Sequence, residues 1–290
     1  MSAPFVAPVT IRTGAVPEGK VADFLTGKHA RDTPEEYVRQ NLEKALVRQY
    51  RYDARDCAPE FSIKVGSSRK RVDVVVFKPG SDHKQENAHI LVETKRAGTN
   101  PGHRTEGVDQ LRSYMAACLN AQYGIWTNGD EQFCLAKRQD RSGGFTFEEI
   151  IDIPALGQTE ADAQRPRRKD LKPATADNLL FAFRRCHNYI AGTEGKQKPE
   201  AFWELLKIIF CKIEDERSRQ LGLYATAAER ANATSAASAK ARIQKVFNDK
   251  VVSKYQAIFP ATDTVIDLKP TVVAYVVSQL QGFSLLASPV

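Results

Sequence analysis

The chain is poor in the residues that usually announce a stapled or metal-tied fold. It has five cysteines and five histidines in 290 residues, with two methionines and two tryptophans. Cys57, Cys118, Cys134, Cys186 and Cys211 are odd in number and form no Cys-x-x-Cys pair, so a disulfide framework and a zinc ribbon are both excluded. They read as buried or free thiols in a reducing compartment. The histidines are scattered, and His89 reads as a strand residue without a catalytic role. No apolar run approaches the ~20 residues of a membrane span, and no basic segment followed by an apolar core opens the chain. A cytoplasmic protein without a membrane partner is expected. One motif is present only in outline. Gly14-Ala-Val-Pro-Glu-Gly-Lys20 has the spacing of a phosphate loop, but Val21 stands where the Mg²⁺-binding hydroxyl belongs, Pro17 stiffens the loop, and no acidic strand follows. A nucleotide-driven motor is therefore not expected.

What is present is charge in unusual places. The net charge is +7, with basic clusters at Lys64, Arg69, Lys70 and Arg71 and again at Arg165, Arg167, Arg168 and Lys169. Such an excess favours phosphate partners, although each cluster also fits a solvated turn. Two apolar runs carry internal charges: Arg71-Val-Asp-Val-Val-Val-Phe77 and His89-Ile-Leu-Val-Glu-Thr-Lys95. Turn formers fill the stretch between them, so the runs read as an antiparallel hairpin. Alternate strand residues share a face, which puts Glu93 and Lys95 together and Asp73 with Val75 and Phe77. Two carboxylates and an ammonium at one end of a sheet are costly unless a metal or a polar network satisfies them, and hard oxygens suit Mg²⁺.

An Asp followed by Glu-x-Lys on the next strand resembles the PD-(D/E)xK nucleases. The resemblance extends to Thr33-Pro-Glu-Glu-Tyr-Val-Arg-Gln40 as an opening helix, to Gln110-Leu-Arg-Ser-Tyr114 as the Gln-x-x-x-Tyr helix of RecB-like nucleases, and to Ile125-Trp-Thr-Asn-Gly129 as the following strand and turn. Together these resemble the N-terminal domain of type I restriction enzyme R subunits. Val72 precedes Asp73 where the motif name has Pro, a departure shared by many members. The resemblance implies that Asp73, Glu93 and the backbone carbonyl of Thr94 hold Mg²⁺, with Mn²⁺ as a substitute, and that Glu36 completes the shell. Lys95 would orient or activate the attacking water. Gln110 and Tyr114, at i and i+4, share a helix face from which they would support the metal site or contact DNA. Arg69, Lys70, Arg71 and Arg96 are the expected DNA contacts. Glu36 also has a plainer reading, as the third residue of a capping box opened by Thr33 and Pro34.

The expected fold is α/β: a restriction-endonuclease-like mixed sheet with flanking helices over 1–153, with residues 1–30 as an extended arm. Strands are expected at about 60–66, 71–77, 88–95, 122–127 and 132–138, with a helix at 104–119. A linker follows at 154–174, where apolar periodicity gives way to charge, Gln and Pro. An all-α domain is expected over 175–290, with helices at 176–190, 199–217, 235–258 and from 272. The second of these carries an apolar stripe of Phe202, Leu205, Leu206, Ile209, Phe210 and Ile213, and the Ala/Ser-rich stretch 225–241 is low in bulk. Asp177-Asn-Leu-Leu180 and Phe202-Trp-Glu-Leu-Leu-Lys-Ile-Ile-Phe-Cys-Lys212 resemble the helical segment preceding the catalytic domain of adenine-N6 DNA methyltransferases of restriction systems. Neither the glycine-rich S-adenosylmethionine motif nor the Asn/Asp-Pro-Pro-aromatic motif occurs, so methylation by these residues is not expected. The apolar stretch Leu285-Leu-Ala-Ser-Pro-Val290 suggests a piece of a longer polypeptide, or a subunit that docks on a methyltransferase or another restriction-system partner. The expected activity is Mg²⁺-dependent hydrolysis of double-stranded DNA in a restriction or phage-defence system; the alternative is an inactive DNA-binding or assembly module that keeps the nuclease fold. Double-strand cutting by a single-site nuclease calls for two copies, so a homodimer is among the expected assemblies.

Overall fold

The computed structural model describes residues 16–174 and 176–287 and divides into two compact units, one ending at Phe147 and one beginning at Glu148. Of the arm expected at 1–30, residues 1–15 lie outside the described residues. The remainder forms an antiparallel pair, β1 (Lys20–Ala22) and β2 (His29–Arg31). Lys20 therefore opens a strand, whereas a phosphate loop would lead into a helix.

Helix α1 (Pro34–Arg48) starts at Thr33, whose hydroxyl accepts from the Glu36 N–H at 3.1 Å, with Pro34 at the first helical position. Only this half of the capping box forms, because the Glu36 side chain is drawn to Arg39. Val38, Leu42 and Leu46 form the buried stripe of α1, which packs on the middle of a six-stranded mixed sheet.

The sheet strands are β3 (Cys57–Val65), β4 (Ser68–Phe77), β5 (Ala88–Thr94), β6 (Tyr123–Thr127), β7 (Gln132–Gln139) and β8 (Phe145–Ile150), in spatial order β3-β4-β5-β6-β7-β8. The β3–β4, β4–β5 and β6–β7 pairs are antiparallel, and β5–β6 is parallel, with helix α2 (Val108–Ala117) making the crossover that a parallel pair requires. With helices over both faces, β5 is almost wholly buried and reads as a continuous apolar run. Helix α2 approaches β6 at Gly124, where a Cβ would come 2.5 Å from Met115 Sδ and force that side chain to shift. Lys137 of β7 donates to the carbonyls of Met115, Cys118 and Leu119 at 2.9, 2.7 and 2.8 Å, closing the C-terminal end of α2. The helix begins four residues later than its sequence suggests, because 96–107 is a structured loop. Strand β8 was not foreseen.

Strand β4 changes faces midway. Val72 and Val75 belong to one hydrophobic cluster although they are three residues apart, a spacing that puts side chains on opposite sides of a regular strand. The irregularity falls at Asp73. Opposite it in β3, Glu60 takes φ +52° and drops out of the ladder, while its neighbours pair as Pro59 with Val74 and Phe61 with Val72. The β3–β4 ribbon beyond this point packs on α2, and Gln85 fastens it through both the N–H and the C=O of Lys64, at 2.8 and 3.0 Å.

The second unit contains α3 (Glu160–Gln164), β9 (Lys172–Pro173), α4 (Ala176–Glu194), α5 (Lys198–Glu216), α6 (Ala227–Ala231), α7 (Ala233–Val246), α8 (Pro270–Leu280) and β10 (Phe283–Ser284), with a π-helical turn at Phe247–Val252. The stretch 154–174 thus carries a short helix, and the Gln281 amide donates to the carbonyls of Ala163 and Gln164 at 3.1 and 3.2 Å. Its basic cluster is used internally: Arg165 stacks on Tyr224, Arg167 pairs with Asp162 and Asp170, and Arg168 donates to the Glu216 carbonyl. The Ala/Ser-rich stretch supplies α6 and α7, whose buried Ala236 and Ala239 line the core. On α5 the expected apolar stripe is rotated. Phe202 is 54% exposed, and the fully buried line is Ala201, Leu205, Ile208 and Cys211. Helix α5 packs against α4, α7 and α8, and paired charges occupy part of its inner surface. Asp177 and Asn178 lie outside the described side chains, as do residues 288–290. No described helix is long and apolar enough to cross a membrane, and all five cysteines are buried and outside any disulfide.

Candidate active site

Asp73, Glu93 and Lys95 converge where β4 and β5 part. The ladder between these strands ends at Val74 paired with Val92, one step short of Asp73 and Glu93. There the Asp73 carboxylate replaces the backbone as acceptor, receiving the Thr94 N–H at 2.6 Å and the Thr94 hydroxyl at 3.0 Å on the same oxygen, Oδ2. Glu93 and Lys95 share a face as strand alternation requires, with Lys95 Nζ 2.9 Å from Glu93 Oε2 and 4.0 Å from Asp73 Oδ2. Lys95 is itself fixed by its N–H, which donates to the Thr127 carbonyl at 2.8 Å.

The electrostatics are unbalanced. Glu93 is 1% exposed, and its second oxygen, Oε1, has no hydrogen-bond partner. Burial, reinforced by Asp73 and opposed by Lys95, pushes the Glu93 carboxyl up to about 8. Burial works against the Lys95 charge too, but Glu93 and Asp73 outweigh it and hold the ammonium above its ordinary range. With both carboxyls ionised, one positive charge would not neutralise them, and the second Glu93 oxygen is left without a partner.

Gln110 and Tyr114 stand on the face of α2 that meets this site. The Gln110 amide donates to the Tyr114 hydroxyl at 2.9 Å, leaving Gln110 Oε1 buried and without a partner. Burial raises the Tyr114 hydroxyl, which also feels the charges of Glu93, Lys95 and Asp73.

Glu36 is not brought to the site. Both of its oxygens accept from Arg39, at 2.7 to 3.0 Å, and Gln40 adds a bond at 2.9 Å. The i+3 and i+4 spacing of these partners on α1 is the reason. Arg39 also pairs with Asp23 at 3.0 Å and Glu43 at 3.4 Å, so Glu36 belongs to a buried ionic cluster. The acidic residue of α1 that senses the site is its neighbour Glu35, whose carboxyl is raised first by burial and then by Asp73, with Lys95 and Arg96 opposing. The i+3 and i+4 spacing of Arg39 and Gln40 is visible in the sequence, but the Asp23 contact that fixes Arg39 is not.

Among the expected DNA contacts, Arg69, Lys70, Arg71 and Arg96 are all exposed. Arg71 pairs with Glu60 at 3.5 Å, while Arg69 and Lys70 make no ion pair among the described residues. The ribbon carrying them is tied to Gln85, whose amide also reaches the Ala117 carbonyl at the end of α2. Arg96 follows Lys95 directly. At the opposite end of β5, His89 packs edge-on to Tyr52 and Tyr123. Among the described residues no three His, Cys, Asp or Glu side chains converge as a ready metal shell, so the site offers two carboxylates and main-chain oxygen.

Residues 34–154 match the family model of the type I restriction enzyme R protein N terminus. The match covers less than half of the chain but includes every residue of the Asp73, Glu93, Lys95, Gln110 and Tyr114 set. No curated protein and no solved structure matches the chain.

Proposed function

We propose that the chain is a Mg²⁺-dependent DNA endonuclease module of a restriction or phage-defence system, with Mn²⁺ able to replace Mg²⁺. The observation that carries this reading is the partnerless, buried Glu93 oxygen beside Asp73 and Lys95, inside the segment that resembles a restriction-enzyme domain. Hard oxygen donors without enough positive charge suit a divalent cation. Asp73, Glu93 and the Thr94 carbonyl would hold it, with Glu35 rather than Glu36 as the neighbouring α1 carboxylate. Bound there, the cation would supply the charge that polarises a phosphoryl oxygen and favours a nucleophilic hydroxide near neutral pH.

The rest is done by the chain's own groups. Lys95, anchored by Glu93, stays an ammonium whose N–H groups donate hydrogen bonds that orient the attacking water or stabilise charge on the phosphate oxygens. Tyr114 and Gln110 hold the side of the site formed by α2. Arg96, with Arg69, Lys70 and Arg71 on the ribbon, contacts the phosphate backbone. The helical unit serves to dock a methyltransferase or other restriction-system partner, and double-strand cutting proceeds through a pair of copies in the cytoplasm.

The test is incubation of supercoiled plasmid with Mg²⁺ or Mn²⁺, with Lys95→Ala prepared identically. Nicking that falls roughly 100- to 1000-fold in the variant supports the proposal. DNA binding by the wild-type chain without cutting under either metal would favour an assembly module.

A further inference from the structure

Between Lys95 and α2 runs a loop, 96–107, that is held more firmly than its exposure suggests. The end of β6 and the turn after it grip its backbone at two points. Asn128, which is 1% exposed, donates from Nδ2 to the Thr99 carbonyl at 2.8 Å, and the buried Trp126 donates from Nε1 to the Glu106 carbonyl at 2.8 Å. Asn128 is fixed in turn, because its Oδ1 accepts from the N–H groups of Asp130 and Glu131 at 2.9 and 2.6 Å. Within the loop, Val108 N–H donates to the Pro101 carbonyl and Gly107 N–H to the His103 carbonyl, each at 2.8 Å. A Cβ on Gly107 would lie 2.1 Å from the Pro101 oxygen, so this closure admits only glycine.

The backbone is thus pinned while its cationic side chains are left outward. Arg96 and Arg104 are exposed and make no ion pair among the described residues. The loop starts at the site: Arg96 directly follows Lys95, whose Nζ is 2.9 Å from Glu93 and whose N–H bonds the Thr127 carbonyl, one residue before Asn128. A buried amide and an indole committed to a surface loop make sense if the position of the loop matters.

We infer that the loop 96–107 is a strap that grips phosphates flanking the one attacked, with Arg96 and Arg104 as its contacts and Asn128 as the residue that positions it. This rests on the reading of DNA as the substrate. A guanidinium is suited to the task because its planar fork matches phosphate oxygens, and a fixed strap loses little freedom on binding.

Binding of the full chain to a duplex oligonucleotide, in EDTA across a range of salt concentrations, tests the strap. Each phosphate contact contributes about one unit to the slope of log affinity against log salt. Arg104→Ala is expected to lower the slope by about 1, and Arg96→Ala with Arg104→Ala by about 2. Asn128→Asp keeps the acceptor for the Asp130 and Glu131 N–H groups but loses the donor to Thr99. It is expected to lower the slope as the double variant does and to add nothing when combined with it. Arg141→Ala, on the turn after β7, is the control for loss of charge alone. A slope unchanged in Arg104→Ala, or in Asn128→Asp, overturns the inference. Plasmid cutting separates this from the nuclease reading. A chain whose slope depends on Arg104 but which never cuts keeps the strap and loses the nuclease; one that cuts with a slope indifferent to Arg104 and Asn128 does the reverse.

Discussion

Lys95 and Lys207 are each buried against two carboxylates, one in each unit, and the two arrangements are used differently. Lys207, 2% exposed on α5, spends all three protons: on Glu204 at 2.9 Å, Asp263 at 2.6 Å and the Val265 carbonyl at 2.8 Å. The carboxylates are finished off as well, Glu204 by the Asp267 N–H at 2.9 Å and Asp263 by the Trp203 indole at 2.6 Å. Among the described residues the Lys95 ammonium makes one hydrogen bond, at 2.9 Å, and beside it Glu93 keeps an oxygen with no donor. A closed network ties a loop to a helix. An open one at a strand end keeps capacity for something that is not part of the chain.

That contrast can be broken or sharpened by substitution. Its largest expression is the loss of plasmid cutting in Lys95→Ala, set against a Lys207→Met variant whose defect is in stability. Removing Lys207 strands Glu204 and Asp263 and is expected to cost roughly 3–5 kcal/mol, measured by urea unfolding. If Lys207→Met unfolds at the wild-type midpoint, the closed network is ornamental and the contrast fails.

A third buried charge cluster sharpens it through pH. Burial, then Asp23, pushes the Glu43 carboxyl up to about 8 from 4.5, with Arg39 opposing. Between those values the folded chain holds a proton that the unfolded chain has released. Stability from this group is therefore complete below about pH 4.5 and is lost as pH rises through about 8. Wild-type unfolding free energy is expected to fall across that window by on the order of 1–3 kcal/mol from Glu43 alone. Glu43→Gln should remove this share and leave the parallel contribution of Glu93. A variant with the full wild-type pH slope would show that Glu43 is ionised in the fold. The smallest effect is expected at Phe202, whose exposure predicts a change within about 0.5 kcal/mol for Phe202→Ser by thermal or urea unfolding.

The sheet was legible in the sequence because each central strand is an apolar run bounded by turn formers, and the β5–α2–β6 crossover follows from the helix between two such runs. Strand β8 was missed because Phe145-Thr-Phe-Glu-Glu-Ile150, with only Ile150 fully buried, carries too little of that signal. The meeting of Asp73 with Glu93 and Lys95 was legible from the antiparallel hairpin that joins their strands. Which carboxylate of α1 joins them was not, since Glu35 and Glu36 are adjacent and the choice turns on Arg39, itself held by Asp23 from outside the helix. The stripe on α5 was misjudged for a related reason. Periodicity locates one apolar face, whereas a helix packed on several sides also buries Glu204, Lys207 and Lys212. The left-handed residue at Glu60 leaves no trace in residue type, so the change of face in β4 could not be anticipated.

That change of face makes β4 two strands spliced at Asp73. Val74 to Val76 pair in register with β5, with a shift at Phe77, while Ser68 to Val72 pair with β3 and pack toward α2. In a continuous strand, adding or removing one residue inverts every side chain along it. Here Asp73 is held from the β5 side, through the Thr94 N–H and hydroxyl. The tip at Gly66 and Ser67 is accordingly an exchangeable cartridge: hairpins of different length and charge can be grafted there, altering what the ribbon touches, while the carboxylate beside Glu93 stays where it is.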